Sequence, residues 1–416
     1  MFGRSRALRD PVTLTLDGKP IAAERGEPIA IALIAADKTI LARSPKLHRP
    51  RGPSCLRGGC DGCLARVSGM PNVMTCLTPA EEGVTVESQN VVGSRKADLL
   101  RMTDWFFPQG LDHHHLMAGV PGLGAVMQTF ARKVAGLGRL PAEAMPAQEA
   151  RRIEVDAAVV GAGPSGVVVA SRLAARGKRV LLVDDGLTLG GALAAAPHHA
   201  AELLAENPLA GVEVHGRSAA VGDYFGDLLL ATGEGAVVVR PRARIFATGA
   251  HDGVIAAPGN DLPGIFSARA LCRLLHAGVT PGGPVAILGS GFWAAEVRAA
   301  LAGGASVTLA PERVIGFRGT GGVTGVEVEE SDGPHVHKVA AVALAIPGAP
   351  AFELIEQAGG SIAFDPALGY RARTDAQGRV AEGVWAVGEC AGALFEPHAL
   401  TRAAEKVAES VLAALG

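Results

Sequence analysis

Alternating apolar and polar positions open the chain. Apolar and threonine residues alternate over 12–16, Asp17-Gly18 supplies a two-residue turn signal, and apolar residues return over 21–24. A short turn between two such runs predicts a β-hairpin. Pro28 then precedes an apolar run over 29–36, which suits a helix with proline at its first position.

A glycine-rich loop and two short strands follow this helix. The loop covers 54–63, and the strand-like pieces lie at 64–67 and 84–87. Hairpin, helix, loop and returning strands are the parts expected of a small β-grasp domain, which we predict for 1–94.

From residue 153 onward, short apolar strands alternate with helical stretches. We predict strands at 157–160, 179–183, 245–247, 285–288 and 383–387, and helices at 165–176, 292–302 and about 398–415. This alternation predicts an α/β fold built on parallel strands. Two of the strand–turn–helix units carry glycine fingerprints, so we predict two nucleotide-binding folds, the second inserted into the first.

Composition excludes several classes of protein. The 416 residues are 48% apolar and 19% charged with a net charge of −2, so a large core is available and a nucleic acid is not the expected main partner. No run approaches eighteen apolar residues, and the N-terminus lacks the apolar core of a secretory signal. We therefore expect a cytoplasmic protein with no membrane span.

Four of the six cysteines crowd into one short stretch. Cys55, Cys60 and Cys63 are separated by four and two residues, and Cys76 follows after twelve more. This spacing is typical of the plant-type [2Fe–2S] site, in which three thiolates on one loop are joined by a fourth from a nearby segment. Zinc is the main alternative because four thiolates also suit a tetrahedral site, and four unligated thiols are the remaining one.

Glycines inside the cysteine loop fit a cluster. Gly58, Gly59 and Gly62 remove side chains where backbone N–H groups must turn toward sulfur. Cys272 lies in a helical stretch and Cys390 beside a glycine motif, so we expect both to be packing residues.

The first nucleotide fingerprint is Gly161-Ala162-Gly163-Pro164-Ser165-Gly166, which follows an apolar strand and opens a helix. Its glycines make the turn, admit the pyrophosphate and let helix and strand pack closely. Asp184, with Asp185 beside it, ends the second strand, where a carboxylate accepts both ribose hydroxyls and disfavours a 2′-phosphate. Gly190-Gly191 is expected to complete the pyrophosphate cradle.

Two later motifs indicate which dinucleotide is bound. Thr248-Gly249 and Gly388-Glu389 each follow an apolar strand, and they resemble the closing motifs of two-dinucleotide-domain flavoproteins. In that family the late acidic residue binds the ribityl chain, and the next helix points its positive end at the flavin pyrimidine. The resemblance implies FAD, although Glu389 stands where an aspartate is more usual.

The second fingerprint is less complete. Gly289-Ser290-Gly291 follows an apolar strand, with Ala294 in place of the third glycine. The strand over 306–309 runs into Ala310-Pro311 without a ribose carboxylate, and Glu312 comes only after the proline. We expect a structural remnant or an adenylate site here more than a nicotinamide site.

Segments along nearly the whole chain carry a family resemblance. They are Leu14–Gly18, Gly26-Glu27-Pro28, His48-Arg49-Pro50-Arg51-Gly52, Phe107-Pro108-Gln109-Gly110 and Pro258–Gly264. The chain resembles the α subunit of heterotetrameric sarcosine oxidase and the related subunits of opine oxidases, hydroxyproline dehydrogenases and hydrogen cyanide synthases. It departs from the pattern in its iron–sulfur cysteines, its shortened second fold and its end at Gly416, without a folate-handling domain.

The resemblance implies that substrate oxidation and electron transfer take place in different subunits. In that family a separate β subunit oxidises an amine or imino acid on its own flavin. The α subunit carries nucleotide cofactors and passes electrons onward, in some members with FMN between subunits. Its first nucleotide fold holds NAD in some relatives and FAD in others.

The fold class is therefore α/β, a two-dinucleotide-binding-domain flavoprotein (Rossmann-like) with an N-terminal β-grasp ferredoxin-like domain. We predict a β-grasp [2Fe–2S] domain at 1–94, a connector at 95–150, an FAD-binding domain from 151–250 and 345–416, and a shortened second nucleotide-binding domain at 251–344.

We predict an FAD- and [2Fe–2S]-containing electron-transfer subunit of a heteromeric amine or imino-acid oxidase or dehydrogenase. Its substrate would be sarcosine, proline, hydroxyproline or an opine. A self-contained NAD(P)H-dependent FAD/iron–sulfur reductase is one alternative, and a nucleotide-binding scaffold without turnover is another. No catalytic residue is assigned, and His113–His115 and His198-His199 are expected to be loop residues.

Overall fold

The computed structural model describes residues 2–44, 47–89, 91–106 and 149–416. Its described residues form two compact units. Unit 1 contains those within 1–144 together with 255–289 and 297–344, and unit 2 contains those within 145–254, 290–296 and 345–416.

Most elements of the described residues are strands, with helices between some of them. The first stretch contains β1 (Phe2–Arg4), β2 (Pro11–Leu16), β3 (Lys19–Glu24), α1 (Ile29–Ala35), β4 (Ala42–Arg43), β5 (Pro50–Arg51), β6 (Leu64–Val67), β7 (Met70–Met74), β8 (Thr85–Glu87) and α2 (Met102–Phe106). The next contains β9 (Arg151–Val160), α3 (Pro164–Ala175), β10 (Val180–Val183), α4 (Pro197–Glu206), β11 (Val212–His215), β12 (Ala219–Tyr224), β13 (Asp227–Thr232), β14 (Gly235–Phe246) and β15 (Ala250–His251).

The remaining elements complete both units. They begin with β16 (Ile265–Ser267), α5 (Ala268–His276), β17 (Val279–Pro281), β18 (Val285–Gly289), α6 (Phe292–Ala300), β19 (Ser306–Leu309), β20 (Val314–Gly319), β21 (Val323–Glu330), β22 (Gly333–Lys338) and β23 (Ala341–Ala345). They end with β24 (Ala349–Pro350), α7 (Glu353–Gln357), β25 (Ile362–Asp365), β26 (Gly369–Ala372), β27 (Arg379–Ala381), β28 (Val384–Ala386) and α8 (Pro397–Leu415).

Unit 1 begins with a five-stranded sheet in the order β3-β2-β8-β6-β7, in which β2 and β8 are parallel. The predicted hairpin is present, with Leu16 opposite Lys19 and positive φ angles of 49° and 77° at Asp17 and Gly18. Helix α1 starts one residue later than predicted, because Pro28 is extended and forms its N-cap. Sheet and helix together form the β-grasp arrangement.

A second sheet of unit 1 has the order β16-β23-β18-β19, with β16 parallel to β23 and β18 parallel to β19. The antiparallel strands β20, β21 and β22 form a separate three-stranded sheet. Strand β1 pairs with β17, and Phe2 packs edge-to-face on Phe266 at 5.7 Å. The N-terminal strand is thus anchored to the later part of the same unit.

Unit 2 is built on an eight-stranded sheet whose parallel part has the order β11-β10-β9-β14-β28. The antiparallel strands β12 and β13 extend it beyond β14. Phe246 and Trp385 are fully buried at the centre, and each contributes about 2–3 kcal/mol through burial. Helices α3 and α8 pack together. This is the strand order of a dinucleotide-binding fold.

No helix in the described ranges has the length and apolar character needed to cross a membrane. The segments Phe107–Gly110 and His113–His115 lie outside the described residues.

Candidate functional site

The four clustered cysteines converge in unit 1. The Sγ atoms of Cys55 and Cys60 lie 3.3 Å apart, and the Cys76 thiol interacts with those of Cys55 and Cys63. Cys55, Cys63 and Cys76 are buried, whereas Cys60 is half-buried. Three of these thiols come from the loop before β6 and the fourth from the turn after β7, as the spacing predicts.

Glycines shape the cysteine loop through close backbone contacts. A methyl group at Gly62 would lie 2.0 Å from the carbonyl oxygen of Gly52, so no side chain fits there. Gly58 has a φ of 85°, and a methyl group there would come within 2.7 Å of Leu77. At Gly59 the same methyl would only touch Cys55 Sγ, at 4.0 Å. Gly62 is thus required by close backbone packing, Gly58 by its positive φ angle, and Gly59 lies next to the sulfur of Cys55.

The pKa values of the clustered thiols are shifted in opposite directions. Hydrogen bonds from Cys60 and then Cys76 lower the pKa of Cys55, and the backbone N–H groups of Arg57 and Gly59 add to this. The hydrogen bond with Cys55 raises the pKa of Cys60, and hydrogen bonds with Cys55 and Cys63 raise that of Cys76. The neighbouring thiols and backbone N–H groups therefore favour thiolate charge at Cys55, the form in which a cysteine binds a metal or cluster.

This donor set fits an iron–sulfur cluster. Cys55 contacts Cys60 and Cys76, Cys76 also contacts Cys63, and the backbone N–H of Arg57 donates to Cys55 Sγ at 3.5 Å. Amide donors around sulfur ligands are typical of iron–sulfur sites. Tetrahedral zinc would accept the same four sulfurs, so geometry alone leaves both candidates.

The stretch His48–Gly52, which precedes the cysteine loop, contacts three acidic side chains. His48 is fully buried, with Nδ1 3.0 Å from Asp98 Oδ2. Arg49 makes a bidentate contact with Asp104, whose pKa the hydrogen bond lowers. Arg51 Nη1 lies 3.3 Å from Asp261 Oδ2. These residues belong to a segment that carries the family resemblance, and each of them contacts another residue of unit 1.

The first fingerprint forms a cradle between β9 and α3 in unit 2. A methyl group at Gly161 would lie 2.3 Å from the carbonyl oxygen of Ala247, and one at Gly166 would lie 1.8 Å from that of Gly161. Gly163 is different, because its methyl group would meet only Gly191 Cα, at 4.0 Å. Gly163 is also the N-cap of α3 and supplies no side-chain cap. No side chain caps the N–H groups at the start of this helix, which suits a pyrophosphate site.

The second strand and the following loop complete this cradle. Asp184 accepts the N–H of Ala162 at 2.7 Å through Oδ2 and that of Gly186 at 2.9 Å through Oδ1. Each carboxylate oxygen has a second lone pair, so ribose hydroxyls can still donate to it. Asp185 is exposed beside it. Gly191 approaches Gly163 so closely that a methyl group would lie 2.6 Å from Gly163 Cα.

The two later motifs meet next to the cradle. Thr248 Oγ1 donates to the carbonyl of Ala351 at 2.6 Å. A methyl group at Gly249 would lie 3.8 Å from Glu389 Oε2, and Glu389 is only 8% exposed. A methyl group at Gly388 would lie 2.9 Å from Ser165 Oγ, which belongs to the first fingerprint. The structure therefore brings all four predicted motifs together within unit 2, with a buried carboxylate among them.

Helix α8, which follows Glu389, begins with an acidic cap. Glu396 is its N-cap, and its carboxylate accepts the N–H of Ala399 at 2.8 Å. A negative charge thus offsets the positive helix end that we expected to face the flavin pyrimidine. An acidic residue directly before Pro397 was the signal for this cap.

The second fingerprint is followed by aromatic side chains. Gly289 and Gly291 both have positive φ angles, of 109° and 88°. Phe292 and Trp293 pack at 4.9 Å, and both contact Phe395, at 5.4 and 4.8 Å. Trp293 is 7% exposed. The three rings thus form one aromatic cluster at the start of α6.

The end of β19 carries no carboxylate. Leu309 is followed by Ala310 and by a short 3₁₀-helix, Pro311–Arg313, which leads directly into β20. Glu312 lies on that helix and is exposed.

The other candidates have ordinary partners, and His198 and His199 lie in the first turn of α4 and not in a loop as predicted. His199 Nε2 lies 3.2 Å from Glu296 Oε1, and His198 Nε2 lies 3.8 Å from Glu296 Oε2. Cys272 is buried, and Cys390 is buried with its Sγ near the carbonyls of Phe246 and Val387. Burial raises the pKa of the Cys390 thiol.

Two family descriptions match the chain. Residues 9–91 match the 2Fe-2S iron-sulfur cluster binding domain, and residues 159–226 match the NAD(P)-binding Rossmann-like domain. The first match favours a [2Fe–2S] cluster over zinc at the cysteine loop.

Similar proteins are subunits of oxidases and of a synthase. The chain is 30% identical over 311 residues to the alpha subunit of sarcosine oxidase from Rhizobium meliloti, covering 67% of this chain and 32% of that protein. It is 31% identical over 153 residues to an opine oxidase subunit of the same organism, covering 33% of each. It is 33% identical over 82 residues to hydrogen cyanide synthase subunit HcnA of Pseudomonas aeruginosa, covering 20% of this chain and 78% of that protein.

A solved structure shares the fold over nearly the full length. L-proline dehydrogenase from P. horikoshii aligns with a TM-score of 0.74 at 22% identity, covering 99% of this chain and 75% of that chain.

The fold and the matched domains define the class of an iron–sulfur flavoprotein, with a [2Fe–2S] cluster and FAD as its cofactors. Within that class the chain belongs to the family of sarcosine oxidase α subunits, which includes the opine oxidase and hydrogen cyanide synthase relatives. It spans about a third of the length of the sarcosine oxidase subunit that it matches.

Proposed function

We propose that this chain is the electron-transfer subunit of a heteromeric amine or imino-acid oxidase or dehydrogenase. The observation that carries the proposal is the presence of a four-thiol site and a dinucleotide cradle in one polypeptide. When bound, FAD accepts electrons in pairs and a [2Fe–2S] cluster takes them singly, so together they convert two-electron into one-electron transfer.

The cysteine loop is proposed to hold the cluster through Cys55, Cys60, Cys63 and Cys76. Burial of three of these thiols and the N–H of Arg57 on Cys55 Sγ support this assignment. Burial also limits access of oxidants and water to the sulfur ligands.

The cradle in unit 2 is proposed to hold FAD. Gly161, Gly163, Pro164, Ser165 and Gly166 would form the turn and the helix end at the pyrophosphate. The other proposed contacts come from Asp184 and Asp185 at the ribose, Gly190 and Gly191 at the pyrophosphate, and Thr248, Gly249, Gly388 and Glu389 near the flavin. The buried Glu389 carboxylate is suited to accept a hydrogen bond from a ribityl hydroxyl.

The second fingerprint, with Gly289 and Gly291, is proposed to be structural or to bind an adenylate. The aromatic contacts of Trp293 and the end of β19 without a carboxylate support this. Oxidation of the substrate is then assigned to a partner β subunit with its own flavin, and FMN between subunits fits the same scheme. Sarcosine, proline, hydroxyproline and opines are the proposed substrate class.

The proposal is tested on protein purified anaerobically together with its co-purifying partner. We expect that adding the partner's amine or imino-acid substrate reduces both the flavin and the cluster of this chain. Reduction of the flavin by NADH alone would favour the self-contained reductase. If no donor reduces the flavin or the cluster even with the partner present, the result would favour a nucleotide-binding scaffold without turnover.

A further inference from the structure

One peptide group of the cysteine loop is contacted on both sides. The carbonyl of Leu56 accepts a hydrogen bond from Arg273 Nη1 at 3.0 Å, and the N–H of Arg57, in the same peptide, donates to Cys55 Sγ at 3.5 Å. Leu56 is fully buried and has a φ of 50°. The peptide therefore lies between a guanidinium group and a sulfur atom.

Helix α5 holds Arg273 in this position. Ser267, its N-cap, accepts the N–H of Ala270 through its side chain at 3.2 Å. The backbone N–H of Ser267 donates to the carbonyl of Ser54 at 2.8 Å, directly before Cys55. The helix is thus fixed to the loop at its first turn and again one and a half turns later. Both contacts lie within unit 1.

A cation at one end of a peptide group strengthens the donor at the other end. A hydrogen bond from a guanidinium to a carbonyl is charge-assisted, and hydrogen bonds in series polarise one another. The N–H of Arg57 is then a better donor to Cys55 Sγ. Hydrogen bonds to the sulfurs set the reduction potential of a cluster, because they stabilise the more negative, reduced form.

We infer that Arg273 is a positioning residue that raises the reduction potential of the cluster through the Leu56–Arg57 peptide. This rests on the proposed ligation of a [2Fe–2S] cluster by the four cysteines. It assigns to α5, outside the β-grasp sheet, a role in how readily this chain accepts single electrons.

The test compares Arg273→Met with Arg273→Lys and with Arg313→Met in the full chain purified anaerobically. Arg313 is an exposed arginine on the 3₁₀-helix after β19, so its replacement removes the same charge away from the loop contact. The midpoint potential is measured by redox titration monitored by the electron paramagnetic resonance of the reduced cluster. Iron content is measured on the same samples.

We expect Arg273→Met to have a lower potential than the wild type and Arg313→Met, with iron content unchanged. Arg273→Lys should recover part of the shift, because its ammonium can still donate to the Leu56 carbonyl. A potential for Arg273→Met equal to that of Arg313→Met would overturn the inference while leaving the proposed function intact. Absence of a two-iron signal in the wild type would instead overturn the proposed function.

Arg273→Met could lose the cluster through misfolding. In that case Arg273→Gln is measured in place of Arg273→Met, because the glutamine amide can donate a hydrogen bond but carries no charge. A lower potential for Arg273→Gln than for Arg273→Lys supports the inference, and equal potentials contradict it.

Discussion

Gly163 and Gly166 of the first fingerprint have different surroundings. One of them therefore matters for binding and the other for packing. Gly166 faces the carbonyl of Gly161, whereas Gly163 faces nothing closer than Gly191. Gly163 also has a φ of −75°, which any residue can adopt. A substitution at Gly166 therefore acts on the fold, and one at Gly163 acts on what the cradle binds.

We expect Gly163→Ala to lower the affinity for FAD and to leave the unfolding temperature of the apoprotein close to the wild type. Gly166→Ala should destabilise the apoprotein by about 1–3 kcal/mol, since its methyl group would be overpacked. Thermal unfolding of the apoproteins and titration with FAD separate the two effects. Equal destabilisation by both substitutions would contradict the assignment of Gly163 to the pyrophosphate.

The cysteine ligands give a second prediction at this scale. Cys76→Ala should lose most of the iron and its visible absorbance, because the fourth ligand comes from outside the loop. Cys390→Ala, a buried cysteine of unit 2, is the control and should retain its iron. Iron and sulfide assays on anaerobic samples measure both. Full iron content in Cys76→Ala would remove this residue from the ligand set.

Residue types and spacing identified the motifs that the structure brings together, because each motif is local. The four thiols and the glycines at 161, 163 and 166 occur in short stretches whose chemistry does not depend on distant contacts. The contact between Arg273 and Leu56 could not be predicted, since it joins residues 217 positions apart. The fully buried pair of His48 and Asp98 has the same origin in tertiary contact.

At the scale of elements, helix α8 carries a charge that the helix pattern alone does not reveal. Its first turn is capped by the carboxylate of Glu396, close in sequence to Glu389. If the helix end faces the flavin pyrimidine, as the family resemblance implies, this negative charge opposes electron density on that ring.

Glu396→Gln should therefore raise the midpoint potential of the bound flavin, because it removes the charge but keeps an oxygen that can accept the N–H of Ala399. Its stability cost is expected to be about 0.3–1 kcal/mol. Glu409→Gln, on the same helix beyond its first turns, is the control. A flavin potential that moves equally in both variants would show that the helix end does not face the ring.

The strands of the parallel sheet were predictable because buried strands are continuous apolar runs, as at β10 and β18. The paired strands β12 and β13 and the three-stranded sheet β20–β22 were missed. Their polar faces break the apolar run, so pairing with neighbours decides their conformation. Strand β14 also extends ten residues before the predicted start at 245.

At the scale of the whole molecule, the second nucleotide fold bears on which donor reduces the flavin. The end of β19 carries no carboxylate that could bind a ribose, which argues against NADH as the donor. We expect NADH under anaerobic conditions to leave the flavin oxidised, while dithionite reduces it. Rapid bleaching of the flavin absorbance by NADH alone would contradict this.

The cofactor content of the folded chain tests the account most directly. Protein purified without oxygen should contain roughly two iron atoms, two sulfide ions and one FAD per chain, with an electron paramagnetic resonance signal after reduction. A well-folded, colourless sample that holds zinc or no metal, and no flavin, would contradict it.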